Sequence, residues 1–201
     1  MGLIMDNENI KEVMLRQEKQ LSILSRVNQK INEKLEVHAI LRTLVEAALE
    51  LTSSKEGTAG LLIDDKMVFT EYFTQGQWVP VDYSFPVGYG VPGWVLEKKE
   101  PYISNDTYND PVVIQEIREK LGFYNLADTP IMDRNGNILG CFEIHNTEGG
   151  RPYDEKDITL LKGLSASAAV AMENARIVQN LHKTQLQLRK SETYLQSLFE
   201  E

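Results

Sequence analysis

One cysteine, three histidines and two tryptophans are all that 201 residues offer of those types, and each shortage removes a class of chemistry. Cys141 has no second cysteine with which to pair, so an internal disulfide framework is excluded, together with any metal site built on several thiolates. No stretch reaches the apolar length that spans a bilayer, and the opening residues lack a cationic segment followed by an apolar one. The expectation is a cytoplasmic chain without a secretory leader and without membrane insertion. No serine or cysteine stands in a recognisable nucleophile elbow, and no histidine is placed to serve one, so the chain is not expected to be an enzyme.

What is present is the composition of a soluble globular protein, 42% hydrophobic and 25% charged. The length suits one core with additional helix. The net charge of -9 is unevenly spread. Residues 1–36 balance six basic against six acidic side chains, residues 175–201 carry a net +1, and the middle, 37–174, carries -10. A body this acidic repels a phosphate backbone, which excludes nucleic acid as a partner of the core. The near-neutral ends can pair with copies of themselves.

Those ends carry helical periodicity. Over residues 10–36 a heptad register places Met14, Leu21, Asn28 and Leu35 at a, and Ile10, Gln17, Leu24 and Ile31 at d, the pattern of a parallel coiled coil with one polar a position. From Val37 to Leu51 the apolar stripe widens to that of a helix packed on a core. Ser53, Ser54 and Gly57 end it. Strands are predicted at 58–63, 67–73, 78–85, 101–104, 125–132 and 138–146, with Asp64-Asp65 and Asn135-Gly136 as hairpin turns. Short helices are predicted near 92–99 and 111–121. A last helix starts after Asp154, an N-cap with Asp157 three residues on. It is rich in small residues from Ser165 to Ala171, then repeats Val178, Leu181, Gln185, Leu188, Glu192, Leu195 and Phe199 at three-four spacing. No stop signal follows, and a longer natural chain is the expectation.

Gly88, Gly90 and Gly93 form a literal G-x-G-x-x-G, the spacing of a dinucleotide fingerprint. The helix after it is too short for a parallel crossover and no βαβ repeat surrounds it, so a glycine turn launching a short helix over Trp94 is the reading. The same segment, Phe85 to Asp106, resembles the part of GAF domains where a glycine turn leads to a short helix and a strand ending in Asn-Asp. Thr129 to Asn146, Arg151 to Asp157 and Ala169 to Arg176 are similar to three further GAF segments, in order, and together they cover about 37–176. The resemblance implies an α+β fold with a central six-stranded antiparallel sheet, GAF-like or profilin-like. Terminal helices lie on one face, and on the other a ligand cavity is roofed by the short helices. It divides the chain into a coiled-coil helix (1–36), a GAF domain (37–176) and a signalling helix (177–201) that resembles the lead-in of a PAS domain.

The resemblance implies a sensory or regulatory module of a histidine kinase or diguanylate cyclase type of protein, homodimeric through both terminal helices. The alternatives are a ligand-free spacer and a small-molecule reductase of the same fold. GAF domains that bind cyclic nucleotides often carry an Asn-Lys and Phe-x-x-x-Asp-Glu signature; here Asn146, Thr147, Tyr153, Asp157 and Ile158 occupy those places, without the Lys and the final Glu. No cofactor is identified. Strand alternation puts Cys141, Glu143 and His145 on one face, read as a polar strand end, with no metal site expected. The candidate ligand residues are Trp94, Tyr102, Asn105, Asp106, Tyr108, Phe123, Tyr124, Thr129, Cys141 and Glu143, aromatic clamps and polar groups in or beside the roof. His38 and His182 are read as surface histidines.

Overall fold

The computed structural model describes residues 36–199 without a break, with side chains to Lys190, and before them residues 22, 25, 29–31, 33 and 34. Of the coiled-coil positions, Ile10, Met14, Gln17, Leu21, Leu24, Asn28 and Leu35 lie outside the described residues. Ile31, assigned above to the seam between copies, is fully buried in this chain's own core, so at that position the domain itself supplies the cover.

Helix α1 (Val37–Thr52) buries Ile40, Leu41, Leu44, Val45 and Ala48, the three-four stripe of a core-packed helix. Thr52 donates its hydroxyl to the Ala48 carbonyl at 2.6 Å, and left-handed Ser53 gives its N–H to Leu49. The chain then enters β1 (Ser54–Ile63) at once, four residues ahead of the sequence expectation. The reason is long-range: Ser54, Glu56 and Gly57 pair with Thr147, His145 and Ile144, and the ladder overrides the weak strand preference of Lys55-Glu56-Gly57.

Asp64 and Asp65, both at positive φ, turn the chain into β2 (Lys66–Thr74), as their hairpin signal implies. There follow β3 (Gln77–Pro86), α2 (Gly90–Lys98), β4 (Tyr102–Ser104), α3 (Gln115–Leu121), β5 (Leu126–Met132), β6 (Ile138–Thr147), a 3-10 turn at 148–150 and α4 (Glu155–Phe199). Helix α3 starts later than the expected 111, because the Asp110 carboxylate takes the Val112 N–H at 2.9 Å and the Asp110 carbonyl takes that of Val113 at 3.2 Å. The strands form one antiparallel sheet in the order β3-β2-β1-β6-β5-β4. Helices α1 and α4 pack on one face; α2 and α3 cover the other. Phe142, Ile144, Ile131 and Leu44 fill the first layer, Phe69, Phe85, Val95 and Cys141 the second.

Two devices seat α4. The Asp154 carboxylate accepts the N–H groups of Lys156 (2.8 Å) and Asp157 (3.1 Å), while Asp157 accepts that of Asp154 (3.0 Å), a reciprocal cap. Those backbone donors hold the Asp154 carboxyl below its usual range. Arg151 then grips Asp157 with both terminal nitrogens (2.6 and 3.0 Å) and reaches the Thr52 carbonyl at 2.8 Å, tying the start of α4 to the end of α1. The Arg151→Met variant leaves the buried Asp157 carboxylate without that partner, and a loss of about 1.5–3 kcal/mol is expected in urea unfolding. A midpoint equal to that of the parent would show that the clamp contributes nothing.

Beyond Ala175 the helix leaves the sheet. Ile177, Val178, Leu181, Leu186 and Leu188 are exposed there. Among the described residues no helix is long and apolar enough to cross a membrane.

Candidate functional site

The glycine turn behaves as a launcher. Gly88 donates its N–H to the Gly93 carbonyl at 2.9 Å and Tyr89 to that of Pro86 at 3.1 Å. Gly88 and Gly90 take the left-handed region (φ 76° and 68°), and a β-carbon on Gly93 would stand 2.3 Å from the Pro86 carbonyl oxygen. The turn thus presses α2 onto the sheet, and no phosphate-binding crossover is present.

Beneath α2 and α3 lies a cavity of about 40 Å³. Phe69, Phe85, Val91, Ile114, Ile117, Phe123 and Leu126 give it apolar walls, and Thr58, Tyr72, Tyr83, Glu143 and His145 add polar groups. The volume holds roughly three waters, whereas pockets for drug-sized ligands run to about 300–1,000 Å³. A larger guest must part the short helices from the sheet.

A buried chain of polar groups crosses the floor. Glu143 Oε1 lies 2.9 Å from His145 Nε2, and His145 Nδ1 lies 3.0 Å from the Tyr72 hydroxyl. A ring proton on Nε2 satisfies both contacts, with Tyr72 donating to Nδ1. The Phe123 ring stacks on the imidazole at 4.4 Å. Burial, reinforced by Glu56 and Glu143, drives the Tyr72 phenol far above its ordinary value, so it acts as a donor and not as a nucleophile. From here the contacts lead toward α4. Asn146, left-handed at φ 60°, donates to Glu56 at 2.6 Å and accepts the Tyr124 N–H at 2.9 Å. Asn125 holds the Thr147 hydroxyl and the Arg151 carbonyl, each at 2.9 Å.

Across the ladder from Glu143 stands Asp128, wholly buried and outside the cavity lining, its carboxyl approached by the Cys141 thiol and the Thr129 N–H but without a donor in close hydrogen-bond geometry. Burial, then the charge of Glu143, pushes its carboxyl well above the usual range. Burial likewise raises the Cys141 thiol, with Asp128 and Glu143 adding to it. A thiol this enclosed and this reluctant to ionise is inert. Among the described residues no three His, Cys, Asp or Glu groups converge as a metal site.

Of the residues singled out from sequence, Phe123 and Glu143 line the cavity, and Cys141 packs into the same layer. The others do not line it, each for a local reason. Trp94 packs edge-on against Tyr102 at 4.8 Å, and Tyr102 donates to the Asp110 carboxylate; burial and that carboxylate push its phenol up to about 12. Asn105 exchanges hydrogen bonds with the backbone of Tyr153 (2.8 and 3.0 Å), which makes it a clamp on the approach to α4. Asp106 closes an exposed turn on Asn109, whose side chain holds the carboxyl low. Tyr108 is exposed, with the Arg118 guanidinium 5.2 Å over its ring. Tyr124 donates to the Thr147 carbonyl at 2.6 Å. Thr129 is paired with Phe142 on the opposite, helix-packed face. His38 and His182 are exposed, as expected.

Sequence reasoning missed the contribution of β2 and β3: Phe69, Tyr72, Tyr83 and Phe85. Their spacing carries part of the signal, since Tyr83 and Phe85 alternate. A register shift between Phe69 and Glu71 hides the rest, because it brings Tyr72 to the same cavity face as Phe69 although they are three positions apart.

A family model describing the GAF domain matches residues 34–173. The dual 3',5'-cyclic-AMP and -GMP phosphodiesterase 11 of Drosophila melanogaster is 27% identical over 119 residues, 57% of this chain and 8% of its own length. The cGMP-specific 3',5'-cyclic phosphodiesterase of Drosophila virilis is 29% identical over 123 residues, 58% of this chain and 13% of its length. The chain therefore spans about a tenth of these relatives. Among solved structures, the GAF domain of an Acinetobacter phosphoenolpyruvate-protein phosphotransferase superposes with a TM-score of 0.64 at 18% identity, covering 81% of this chain and 98% of that one. The free methionine-R-sulfoxide reductase of Neisseria meningitidis, solved with its substrate, gives 0.66 at 16% identity over 79% and 91%. With this sheet order, this roofed cavity and a family match over most of its length, the chain belongs to the GAF domain family, regulatory and sensory modules found in phosphodiesterases and other signalling proteins.

Proposed function

We propose that this domain senses a small molecule in the roofed cavity and relays its presence through paired terminal helices, as the cytoplasmic sensory part of a signalling protein of histidine kinase or diguanylate cyclase type. The observation that carries this reading is the join between cavity and output helix. His145 contributes to the cavity floor, and the next two residues, Asn146 and Thr147, belong to the network that holds Arg151 and the cap of α4. A guest that moves β6 therefore moves the start of α4. Pairing of copies is supported by the exposed stripe Val178, Leu181 and Leu188, which repeats at helical spacing and is left uncovered by the other described residues.

Two measurements test the two halves. Light scattering of the purified chain is expected to give a dimer at tens of micromolar; a monomer at that concentration removes the relay's paired output. A thermal-shift screen of nucleotides, amino acids and metabolites is expected to yield a stabilising compound, because a ligand of the folded state raises the midpoint by mass action.

A second reading, a spacer without ligand, is favoured by the small cavity volume, and a screen without hits would select it. A reductase activity is disfavoured by the enclosed Cys141 thiol.

A further inference from the structure

The polar groups on the cavity lining narrow what it admits, granted the reading above that it is a ligand site. Four of the five are already engaged within the protein. Thr58 donates to the Glu71 carbonyl at 2.5 Å, Tyr72 and His145 meet at 3.0 Å, and His145 holds Glu143 at 2.9 Å. The fifth is Tyr83, whose hydroxyl is enclosed without a hydrogen-bond partner. A buried hydroxyl in that state forfeits free energy that an acceptor would recover. Its ring is flanked by Phe85, with centroids 6.4 Å apart, and by the Lys120 ammonium, 5.3 Å over the ring. All the other lining residues are apolar, and among the described residues no lysine or arginine lines the cavity.

We propose that the cavity takes a small uncharged molecule, a compact apolar body carrying one oxygen or nitrogen that accepts a hydrogen bond from Tyr83. The body lies among Phe69, Phe85, Phe123 and Leu126, and its removal from water drives binding. Charge of either sign is rejected. An anion meets no cation on the lining and is repelled by Glu143. An ammonium meets one carboxylate that His145 already engages, which does not offset the loss of its own hydration. The waters that fit this volume find few partners among such walls, so a guest displaces them at little cost. Entry is past α3, which has no fully buried residue and ends on left-handed Gly122 (φ 74°). Its Ile117 and Leu121 close the cavity and move with it.

The test titrates the full chain with four probes built on one ring, cyclopentanone, cyclopentane, cyclopentylammonium and cyclopentanecarboxylate, read by thermal shift and by amide NMR. The expected result is saturable binding of cyclopentanone and cyclopentane, each at least about tenfold tighter than either ion, with shifts concentrated in the amides of 113–126 and 143–145. Tyr83→Phe removes the hydroxyl alone. It is expected to leave the unfolding midpoint of the free protein unchanged or raised, since no bond within the protein is lost. Cyclopentanone should weaken about fivefold in that variant, the worth of one neutral hydrogen bond, while cyclopentane stays nearly unchanged. Ile117→Trp fills the cavity from α3 and is expected to abolish both; Tyr83→Phe suffices if it fails to fold. Cyclopentanone binding that ignores Tyr83→Phe, or that survives Ile117→Trp, overturns the proposal. An ion that binds as well as cyclopentanone, or a charged metabolite shifting the same amides, sinks the uncharged class yet leaves a ligand cavity standing. Silence from all four probes also overturns it, and joined to an empty metabolite screen brings down the ligand reading itself.

Discussion

Gly140→Ala is expected to destabilise the fold by about 3 kcal/mol or more, the upper range for forced overpacking. A β-carbon built on Gly140 would stand 2.2 Å from the Gly60 carbonyl oxygen and 3.4 Å from the Leu61 α-carbon. Both neighbours are backbone, and they belong to β1, which pairs with β6 at the centre of the sheet. A side chain could rotate out of the way; a ladder cannot. The methyl group must push the two central strands apart, lengthening hydrogen bonds on both sides and opening the layers that rest on them. Urea unfolding reads the effect as a lowered midpoint. Gly136→Ala is the control: it lies at φ +77° with nothing within 4 Å, so only the left-handed strain of about 1 kcal/mol applies. Equal losses at the two positions would mean that the strands are not in this close register.

Asp128→Asn is expected to remove a loss of stability that the parent chain suffers as pH rises. In the folded chain burial and Glu143 raise the Asp128 carboxyl well above its usual value. An unfolded aspartate ionises near about pH 4. Between that value and the raised one, the folded state holds a proton that the unfolded state has released. Stability from this group is therefore complete below about pH 4 and declines as pH rises toward the folded value, with a slope of up to about 1.4 kcal/mol per pH unit for one proton. Asparagine cannot ionise, and its amide can donate to Glu143 across the ladder. The variant should be the more stable protein at pH 8, with the gap closing as pH falls toward 5. The measurement is the urea midpoint at pH 5, 6, 7 and 8 for both proteins. Parallel curves would show that Asp128 ionises freely and that its surroundings are wetter than this packing allows.

Local chemistry made much of the architecture readable. The aspartate pair at 64 and 65 turns a hairpin because short polar side chains tolerate positive φ. The Asp154 cap was visible as a residue type at a spacing. Alternation along β6 sorted Glu143 and His145 to the cavity and Phe142 and Ile144 to the helices. Where the reading failed, a distant partner was responsible. Asn105 looked like a ligand donor until the Tyr153 backbone proved to take both ends of its amide. Thr129 was assigned to the cavity, but its pairing with Phe142 turns it toward the helices.

From sequence alone came the antiparallel hairpins, the two short helices and the apolar stripes of the long ones, because each is encoded within a few residues by period, turn chemistry or capping; the family was legible only as the resemblance of four ordered segments. Tertiary structure alone decided which side chains share the cavity and which carboxyl is buried beside a second one. Those outcomes depend on strand register and on the shifts that interrupt it between Thr58 and Gly60 and between Phe69 and Glu71. A one-residue slip sends a side chain to the other face. The burial of Asp128 between Tyr102 and Glu143 is a property of three neighbouring strands together, and no single stretch of the chain contains it.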